Sequence, residues 1–401
     1  MKPVTLIFLS ARENIYSLAA LSGALESLPA EGFSVRFADD VPSMLFETAA
    51  ALAAGETAVA ALSFSTMSAP AAASAAAALG ETFGKRVVLI AGGPHPSGDP
   101  GGALEAGFDY VFRGEAEVTL PEFIRSLGRG DIPDGRVITP SSPADLDAFP
   151  PGSLRWGRFA PVEITRGCPY ACAYCQTSFL FGAGQRHRSV DKVRDWLEKM
   201  SSMEMRDHRF ISPDAFSYGS ADGKKLDLTA LEDLLKTARG AAGPGGRIFF
   251  GSFPSEVRPD HVTPETLMLL KAYADNRALV IGAQTGSDRL LEKLGRGHDA
   301  GAVLRAARLC YASGVRPVVD FIFGLPGETP ADEEATIALI ETLLPLGAKV
   351  HAHSFMPLPG TPLAGSEPPA ITPRTRKFIS SLSSTGRAFG PWENQERAAR
   401  T

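Results

Sequence analysis

Short apolar runs alternate with longer stretches of helical period along most of this chain. Val4–Leu9, Ser34–Ala38, Val59–Phe64, Val87–Ala91 and Tyr110–Arg113 are short and apolar, and predict buried strands. Between them, Leu18, Leu21, Leu25 and Leu28 recur at spacings of three and four, which predicts a helix over Leu18–Leu28. Ala49–Ala54, the alanine-rich Ala71–Leu79 behind Pro70, and Leu120–Leu127 are read as helices too. Strands alternating with helices predict a parallel, doubly wound sheet.

Residues 131–153 break the pattern with Pro133, Pro140, Pro143, Pro150, Pro151 and Gly152, so a linker or strap is expected there. Alternation resumes with strands at Pro161–Thr165, Arg209–Ser212, Arg247–Gly251, Leu279–Ala283, Val315–Phe323 and Lys349–Phe355. Helices are expected at Val190–Met200, Leu228–Arg239, Pro264–Ala274, Ser287–Leu294, Ala302–Ala312 and Glu333–Leu344. Six βα units are too few for a closed eight-stranded barrel. The fold class is therefore α/β: a doubly wound, Rossmann-like domain over residues 1–140, a linker over 141–158, six further βα units over 159–365 and an extension over 366–401. Trp392 is expected to dock and Gln395–Thr401 to fray.

The 401 residues carry a net charge of -5 without a basic run, which gives no electrostatic reason to expect nucleic acid. No apolar run reaches the length of a membrane span, and the N-terminal apolar run is too short for a signal core, so a cytoplasmic location is expected. Thiols stay reduced in that compartment, which disfavours disulfides.

Three of the four cysteines, Cys168, Cys172 and Cys175, fall in Gly167-Cys168-Pro169-Tyr170-Ala171-Cys172-Ala173-Tyr174-Cys175, spaced C-x3-C-x2-C. Three thiolates so close need a soft metal. Zinc normally takes four ligands, and the loop offers no fourth Cys or His. A [4Fe–4S] cluster takes four cysteines, so three leave one iron open to a substrate or cosubstrate. The loop also follows the first barrel strand, where barrel sites are built.

This stretch resembles the signature of the radical S-adenosylmethionine (SAM) superfamily. The resemblance implies that the six βα units over 159–365 form an open, partial (β/α)6 barrel, that the open iron chelates SAM and that the reduced cluster cleaves it to a 5'-deoxyadenosyl radical. Later strand ends agree with it. Gly282-Ala283-Gln284-Thr285-Gly286-Ser287, followed by Gly295-Arg296-Gly297-His298, resembles the family element that contacts the SAM ribose and carboxylate, with Gln284 in place of Glu. Asp320-Phe321-Ile322-Phe323-Gly324-Leu325-Pro326-Gly327-Glu328 resembles the adenine-holding element, with Asp320 in place of Gly. The family's Gly-Gly-Glu after the second strand is absent, and Pro213 and Asp214 stand there to receive the SAM amino group. By the resemblance the cluster ligands are Cys168, Cys172 and Cys175, and Tyr174, Pro213, Asp214, Gln284, Ser287, Arg296, Ile322, Gly324 and Pro326 are SAM-site candidates.

The first third resembles a cobalamin-binding domain of the methionine-synthase type. Ser63-Phe64-Ser65 and Gly92-Gly93-Pro94-His95 close successive strands, 26 residues (66–91) apart, and Arg113-Gly114-Glu115 also fits. Ser63, Ser65, Gly92, Gly93, His95 and Glu115 are the cobalamin-site candidates. Ser65 replaces the family's Leu, and the Asp-x-His-x-x-Gly loop is absent, so cobalamin is expected to bind without a protein histidine on cobalt. His95 either lies at the ligand edge or shapes its loop.

The pair of domains implies a cobalamin-dependent radical SAM enzyme. Methyl transfer to an unactivated carbon or phosphorus of a small molecule or biosynthetic intermediate is the expected chemistry. A flavodoxin or ferredoxin is the expected electron donor. The alternatives are a radical rearrangement or ring-forming reaction with the same cofactors, and a non-catalytic sensor or carrier. Methylthiotransferases carry three cysteines in their N-terminal domain, where this chain has none.

Some residues stay outside these motifs. His351 and His353 face one side of a strand and either meet substrate or serve the structure; as a metal pair they lack further ligands in the sequence. Cys310 reads as a buried core thiol. Phe179, Leu180 and Phe181 are expected to shield the cluster. Gln185–Ser189 either holds a substrate anion or leads a helix capped by Ser189.

Overall fold

A computed structural model of the chain describes residues 2–29, 31–131 and 133–400. Two compact units are present, one of residues 1–160 with 358–360, the other of 161–357 with 361–401.

The first unit contains β1 (Val4–Leu9), α1 (Ile15–Leu25), β2 (Phe33–Ala38), α2 (Val41–Ala53), β3 (Thr57–Ser63), α3 (Ala69–Phe83), β4 (Val87–Gly92), α4 (Pro94–Gly98), α5 (Pro100–Glu105), β5 (Tyr110–Phe112), α6 (Thr119–Arg129) and β6 (Val137–Ile138). The sheet is wholly parallel, in the order β2-β1-β3-β4-β5-β6. Side chains alternate across it. Ile7 packs on one face with Met44, Leu62 and Leu79; Leu6 and Phe8 pack on the other with Leu18, Leu25 and Phe123. The order reverses at β1 and β3, the edge at which doubly wound sheets take ligands.

Two differences from the sequence reading arise here. The helix expected at Ala49–Ala54 begins at Val41, because Asp40 accepts from the Ser43 amide at 2.8 Å and Pro42 lies in the first turn. Within the expected linker, Val137–Ile138 adds to the sheet beside β5.

The second unit contains β7 (Val162–Glu163), β8 (Thr165–Arg166), α7 (Thr177–Phe181), β9 (Arg186–His187), α8 (Val190–Ser202), β10 (Asp207–Ile211), α9 (Leu228–Ala242), β11 (Arg247–Phe249), α10 (Pro264–Tyr273), β12 (Ala278–Gln284), α11 (Asp288–Lys293), α12 (Ala300–Ala312), β13 (Arg316–Phe323), α13 (Pro330–Leu343), β14 (Lys349–Ser354), α14 (Pro373–Ser384), β15 (Ala388–Phe389) and α15 (Trp392–Ala398). The six expected barrel strands are β7, β10, β11, β12, β13 and β14, all parallel to their neighbours. They fall into the runs β11-β10-β7 and β12-β13-β14-β15, which a single bridge between Val257 and Ile281 joins. β8 and β9 form a separate antiparallel ribbon.

The C-terminal segment differs from the frayed end expected of it. β15 extends the barrel sheet beside β14, and α15 runs to Ala398. Ile371, Ile379, Leu382 and Trp392 join the core of β13 and β14. Thr401 lies outside the described residues.

Candidate cluster and cofactor site

The cysteine loop runs from the end of β8 to α7. Gly167 opens it with a φ of +90°, and a Cβ there would lie 2.3 Å from the Gly184 carbonyl oxygen, so only glycine fits. Ser178 donates to the Cys168 carbonyl at 2.7 Å, and the Cys175 amide donates to the Cys172 carbonyl at 2.9 Å. The Ala173 amide reaches the Leu294 carbonyl at 2.9 Å, which ties the loop to the segment after α11.

Donors point at the sulfurs. Thr177 places its hydroxyl 3.3 Å and its amide 3.5 Å from Cys175 Sγ, and Arg296 Nη1 lies 3.5 Å from Cys172 Sγ. The same Nη1 donates to Tyr174 Oη at 3.1 Å, and Nη2 donates to the Gly282 carbonyl. Burial pushes the Cys168 and Cys175 thiols up, and the charges of neighbouring sulfurs add to the rise. Donors turned toward the Cys172 and Cys175 sulfurs, on a loop that carries three cysteines, fit a soft cationic metal centre, whose charge would favour the thiolates. The fourth cysteine, Cys310, is wholly buried on α12, so the loop supplies three ligands.

Several expected residues gather near this loop. Gln284 ends β12 at an irregularity in the register with β13, and its φ is +75°. Such bulges re-aim a side chain. Here Gln284 Nε2, Glu256 Oε2 and Arg296 Nη2 all converge on Gly282, each 3.0–3.1 Å from where a Cβ would stand. Asp214 is buried and hydrogen-bonds His261; the Arg258 amide donates to it at 3.2 Å. Burial disfavours the His261 imidazolium, but Asp214 outweighs that and raises its pKa. Ser287 caps α11 through the Leu290 amide and donates to Asp332, so its hydroxyl already has two partners. Gly324 has a φ of +71°, and its amide donates to Glu328 at 3.1 Å. Burial lifts the Glu328 carboxyl to about 7. Phe179 in α7 is 38% exposed.

The sequence reading missed Arg258. Its side chain is 5% exposed, its guanidinium lies 3.4 Å from the Tyr170 ring centroid, and Nη2 pairs with Asp260 at 3.1 Å. Nε and Nη1 are buried and, among the described residues, have no hydrogen-bond partner. Unpaired buried N–H groups of a cation are costly and point to a missing anionic or acceptor group. Nothing in the sequence marks Arg258, because its signal is spatial.

In the first unit, the edge between β1 and β3 is closed by Asn14. Its amide nitrogen donates to the carbonyls of Leu9 (2.9 Å) and Ser63 (3.0 Å), and its oxygen accepts from the Ala11 amide at 2.9 Å. Ser63 Oγ lies 3.0 Å from Ser17 Oγ, and Ser65 Oγ 3.5 Å from Ser68 Oγ. Gly93 has a φ of +93°, and its Cβ would lie 2.9 Å from the Phe64 amide nitrogen and carbonyl oxygen; a Cβ on Gly92 would meet Phe112 Cβ at an ordinary 3.9 Å. His95 Nδ1 lies 3.2 Å from Thr66 Oγ1, its ring packs on Phe64, and burial lowers its pKa. Glu115 is buried and accepts from the Ala144 amide at 3.0 Å. The loop after β1 holds no histidine. This edge offers hydroxyls and backbone amides, which suit an amide-rich macrocycle.

The profile of the radical SAM superfamily matches residues 162–340, and that of the B12 binding domain matches residues 9–124. A Methanopyrus kandleri protein, MK0932, of uncharacterized activity, is 26% identical over 358 residues, covering 75% of this chain and 66% of its own. A tRNA-2-methylthio-N(6)-dimethylallyladenosine synthase of Janthinobacterium is 31% identical over 278 residues, 65% of this chain and 56% of that one. The chain thus spans between about half and two thirds of these curated relatives. Among solved structures, the Kitasatospora setae radical SAM methyltransferase TsrM, with cobalamin and a [4Fe–4S] cluster bound, superposes with a TM-score of 0.66 at 18% identity, over 90% of this chain and 77% of its own. The cobalamin-dependent radical SAM enzyme OxsB gives 0.66 at 16% identity, over 85% and 52%. These likenesses are likenesses of fold.

Proposed function

From the premise that this chain joins a B12-binding domain to a radical SAM domain, we propose that it is a cobalamin-dependent radical SAM enzyme whose reaction is methyl transfer to a carbon or phosphorus of a small-molecule substrate. The observation that carries the radical SAM part is the loop of Cys168, Cys172 and Cys175, with donors on the Cys172 and Cys175 sulfurs and, beside it, two buried nitrogens of Arg258 that have no hydrogen-bond partner among the described residues.

In this reading the three cysteines hold a [4Fe–4S] cluster with one iron left for SAM, and the bound cluster supplies the electron that cleaves SAM. Thr177 and Arg296 stabilise sulfur charge. Arg258 offers two free N–H groups to the SAM carboxylate, a charge-assisted pairing that Tyr170 orients. The Pro213 backbone and Asp214 face the amino group, with His261 holding the carboxylate in place. Gln284 and the backbone around Ile322, Gly324 and Pro326 receive the ribose and adenine. In the first unit, Ser63, Ser65, Gly92, Gly93, His95 and Glu115 would frame the corrinoid. The bound corrinoid supplies a transferable methyl group.

The tRNA methylthio synthase relatives suggest a second reading, sulfur insertion, but residues 1–167 contain no cysteine to hold a second cluster. A rearrangement with the same cofactors is the stronger competitor. The test is anaerobic reconstitution with iron, sulfide and hydroxocobalamin, then reduction with SAM present. Formation of 5'-deoxyadenosine or S-adenosylhomocysteine supports the enzyme reading. S-adenosylhomocysteine in a substrate-dependent amount supports methyl transfer. Cofactor loading with neither product would sink the enzyme reading.

A further inference from the structure

Along the chain, His351 and His353 are a pair without a further ligand. The fold supplies one. Asp320 of β13 and His351 of β14 are partners in the strand register, and His353 lies two residues further along β14. Val319 and Phe321, like Val350 and Ala352, pack into the core with Ile340 of α13 and Ile379 of α14. Side chains alternate along a strand, so Asp320, His351 and His353 project together from the opposite face.

Their donor atoms converge. His351 Nδ1 lies 3.0 Å from Asp320 Oδ1 and 3.2 Å from His353 Nε2, and all three atoms fall within 4.8 Å of one another. Two ligand atoms bound to one metal at about 2.1 Å stand about 3.0 Å apart at a right angle and about 3.4 Å apart at a tetrahedral angle. Both short separations match that range.

Hydrogen bonding alone serves this arrangement poorly. A neutral ring nitrogen carries either one proton or one lone pair. A proton on His351 Nδ1 would be divided between Asp320 and His353. A lone pair there would face the Asp320 carboxylate, lone pair against lone pair. A cation at the common centre meets one lone pair from each of the three groups.

The C-terminal elements hold both rings. Phe389 of β15 stacks on the His351 ring, with 4.7 Å between centroids and 13° between planes. Gln395 of α15 places its amide nitrogen 3.3 Å from His353 Nδ1, and its oxygen accepts from the Ser354 amide at 3.0 Å. When His353 Nε2 gives its lone pair to a metal, the ring proton sits on Nδ1 and needs an acceptor. Loading therefore asks the Gln395 side chain to turn, so that its oxygen, which has two lone pairs, accepts from Nδ1 as well as from Ser354. Ligating histidines ordinarily donate their second N–H to such a partner.

We propose that Asp320, His351 and His353 form a metal site, in addition to the cysteine loop, for a divalent first-row cation such as zinc or ferrous iron, with Gln395 as the positioning residue for His353. Two imidazoles and one carboxylate are donors that such ions take, and three protein ligands leave coordination positions for water or another oxygen donor. The side chains of Asp320 and His351 are 13% and 16% exposed, so an ion can reach them without the ligands lying at the surface. The site rests on these residues and does not depend on the radical SAM reading.

Zinc titration of the tag-free, anaerobically reconstituted holoprotein, followed by dialysis and metal analysis, tests this. About one zinc per chain beyond the cluster iron is expected, and X-ray absorption should show nitrogen and oxygen ligands at about 2.0–2.2 Å with no sulfur at about 2.3 Å. His353→Gln and Asp320→Asn should each weaken zinc binding at least about tenfold while leaving cluster iron unchanged. Gln395→Glu, whose carboxylate is a stronger acceptor for the Nδ1 proton, should tighten it about tenfold. Absence of zinc uptake overturns the proposal. So does bound zinc with sulfur ligands, or uptake that survives both His353→Gln and Asp320→Asn. Zinc affinity unchanged in Gln395→Glu overturns the positioning role of Gln395. The wild-type absorption spectrum decides the ligand set even where a variant fails to fold. Zinc uptake is read without SAM or turnover, so failure here is separable from failure of the radical SAM reading.

Discussion

The guanidinium of Arg258 lies over the ring of Tyr170, 3.4 Å from its centroid, and its Nε and Nη1 are buried with no hydrogen-bond partner among the described residues. Stacking fixes the plane of the cation while leaving Nε and Nη1 free to meet an acceptor. Arg258→Met should weaken SAM binding by roughly 10- to 100-fold, the worth of a charged hydrogen-bond pair. It should leave the melting temperature of the SAM-free protein unchanged or raised, since unpaired buried donors are removed. Calorimetric binding and thermal melting read the two effects separately. Unaltered SAM affinity with a lowered melting temperature would make Arg258 a packing residue.

The cysteine loop gives a stoichiometric prediction. Changing any one of Cys168, Cys172 or Cys175 to Ala should drop iron after reconstitution from about four per chain to well below one. Cys310→Ala should leave iron unchanged. The Cys310 thiol is pushed up to about 12 by burial, so it should also resist alkylation in the folded protein.

Gly93→Ala asks a left-handed backbone to carry a Cβ 2.9 Å from the Phe64 backbone. A destabilisation of about 1–3 kcal/mol is expected, together with a fall in cobalt bound after reconstitution. Gly92→Ala, whose Cβ meets Phe112 Cβ at an ordinary 3.9 Å, should leave stability nearly unchanged and serves as the control for stability.

Stability should depend on pH with a definite sign. Glu256 is raised to about 8 and Glu328 to about 7, each from an ordinary 4.5, with burial the main cause. A raised folded-state value means their contribution is whole below about pH 4.5. It is lost as pH climbs, through 7 for Glu328 and through 8 for Glu256. The melting temperature should fall between pH 5 and 8.5, and Glu256→Gln should flatten the upper part of that fall. A profile that Glu256→Gln leaves unchanged would contradict the burial argument.

What could be read from the residues was what recurs locally. The alternation located the strands of both units, and cysteine spacing marked the candidate cluster loop, because each signal lies within a few neighbouring residues. Ser189 was likewise legible as the cap of α8, where it accepts from Lys192 at 3.3 Å. Asp40 and Pro42 carried an equally local start signal for α2 that the periodicity reading passed over. Arg258, Glu256 and His261 were invisible because their meaning arises only when β11, β12 and β13 bring distant segments together. Ser287, expected at the ribose, has its hydroxyl engaged by Leu290 and Asp332. β15 was missed because two residues carry no periodicity.

The C-terminal strand and helix have a practical consequence. Gln395 of α15 accepts from the Ser354 amide at 3.0 Å and turns its NH2 toward His353 Nδ1, 3.3 Å away. Trimming the last dozen residues to aid crystallisation would remove this contact together with Trp392, which belongs to the core of β13 and β14, so the barrel would lose packing as well as a polar partner of His353. A tag placed at the other terminus is the safer design.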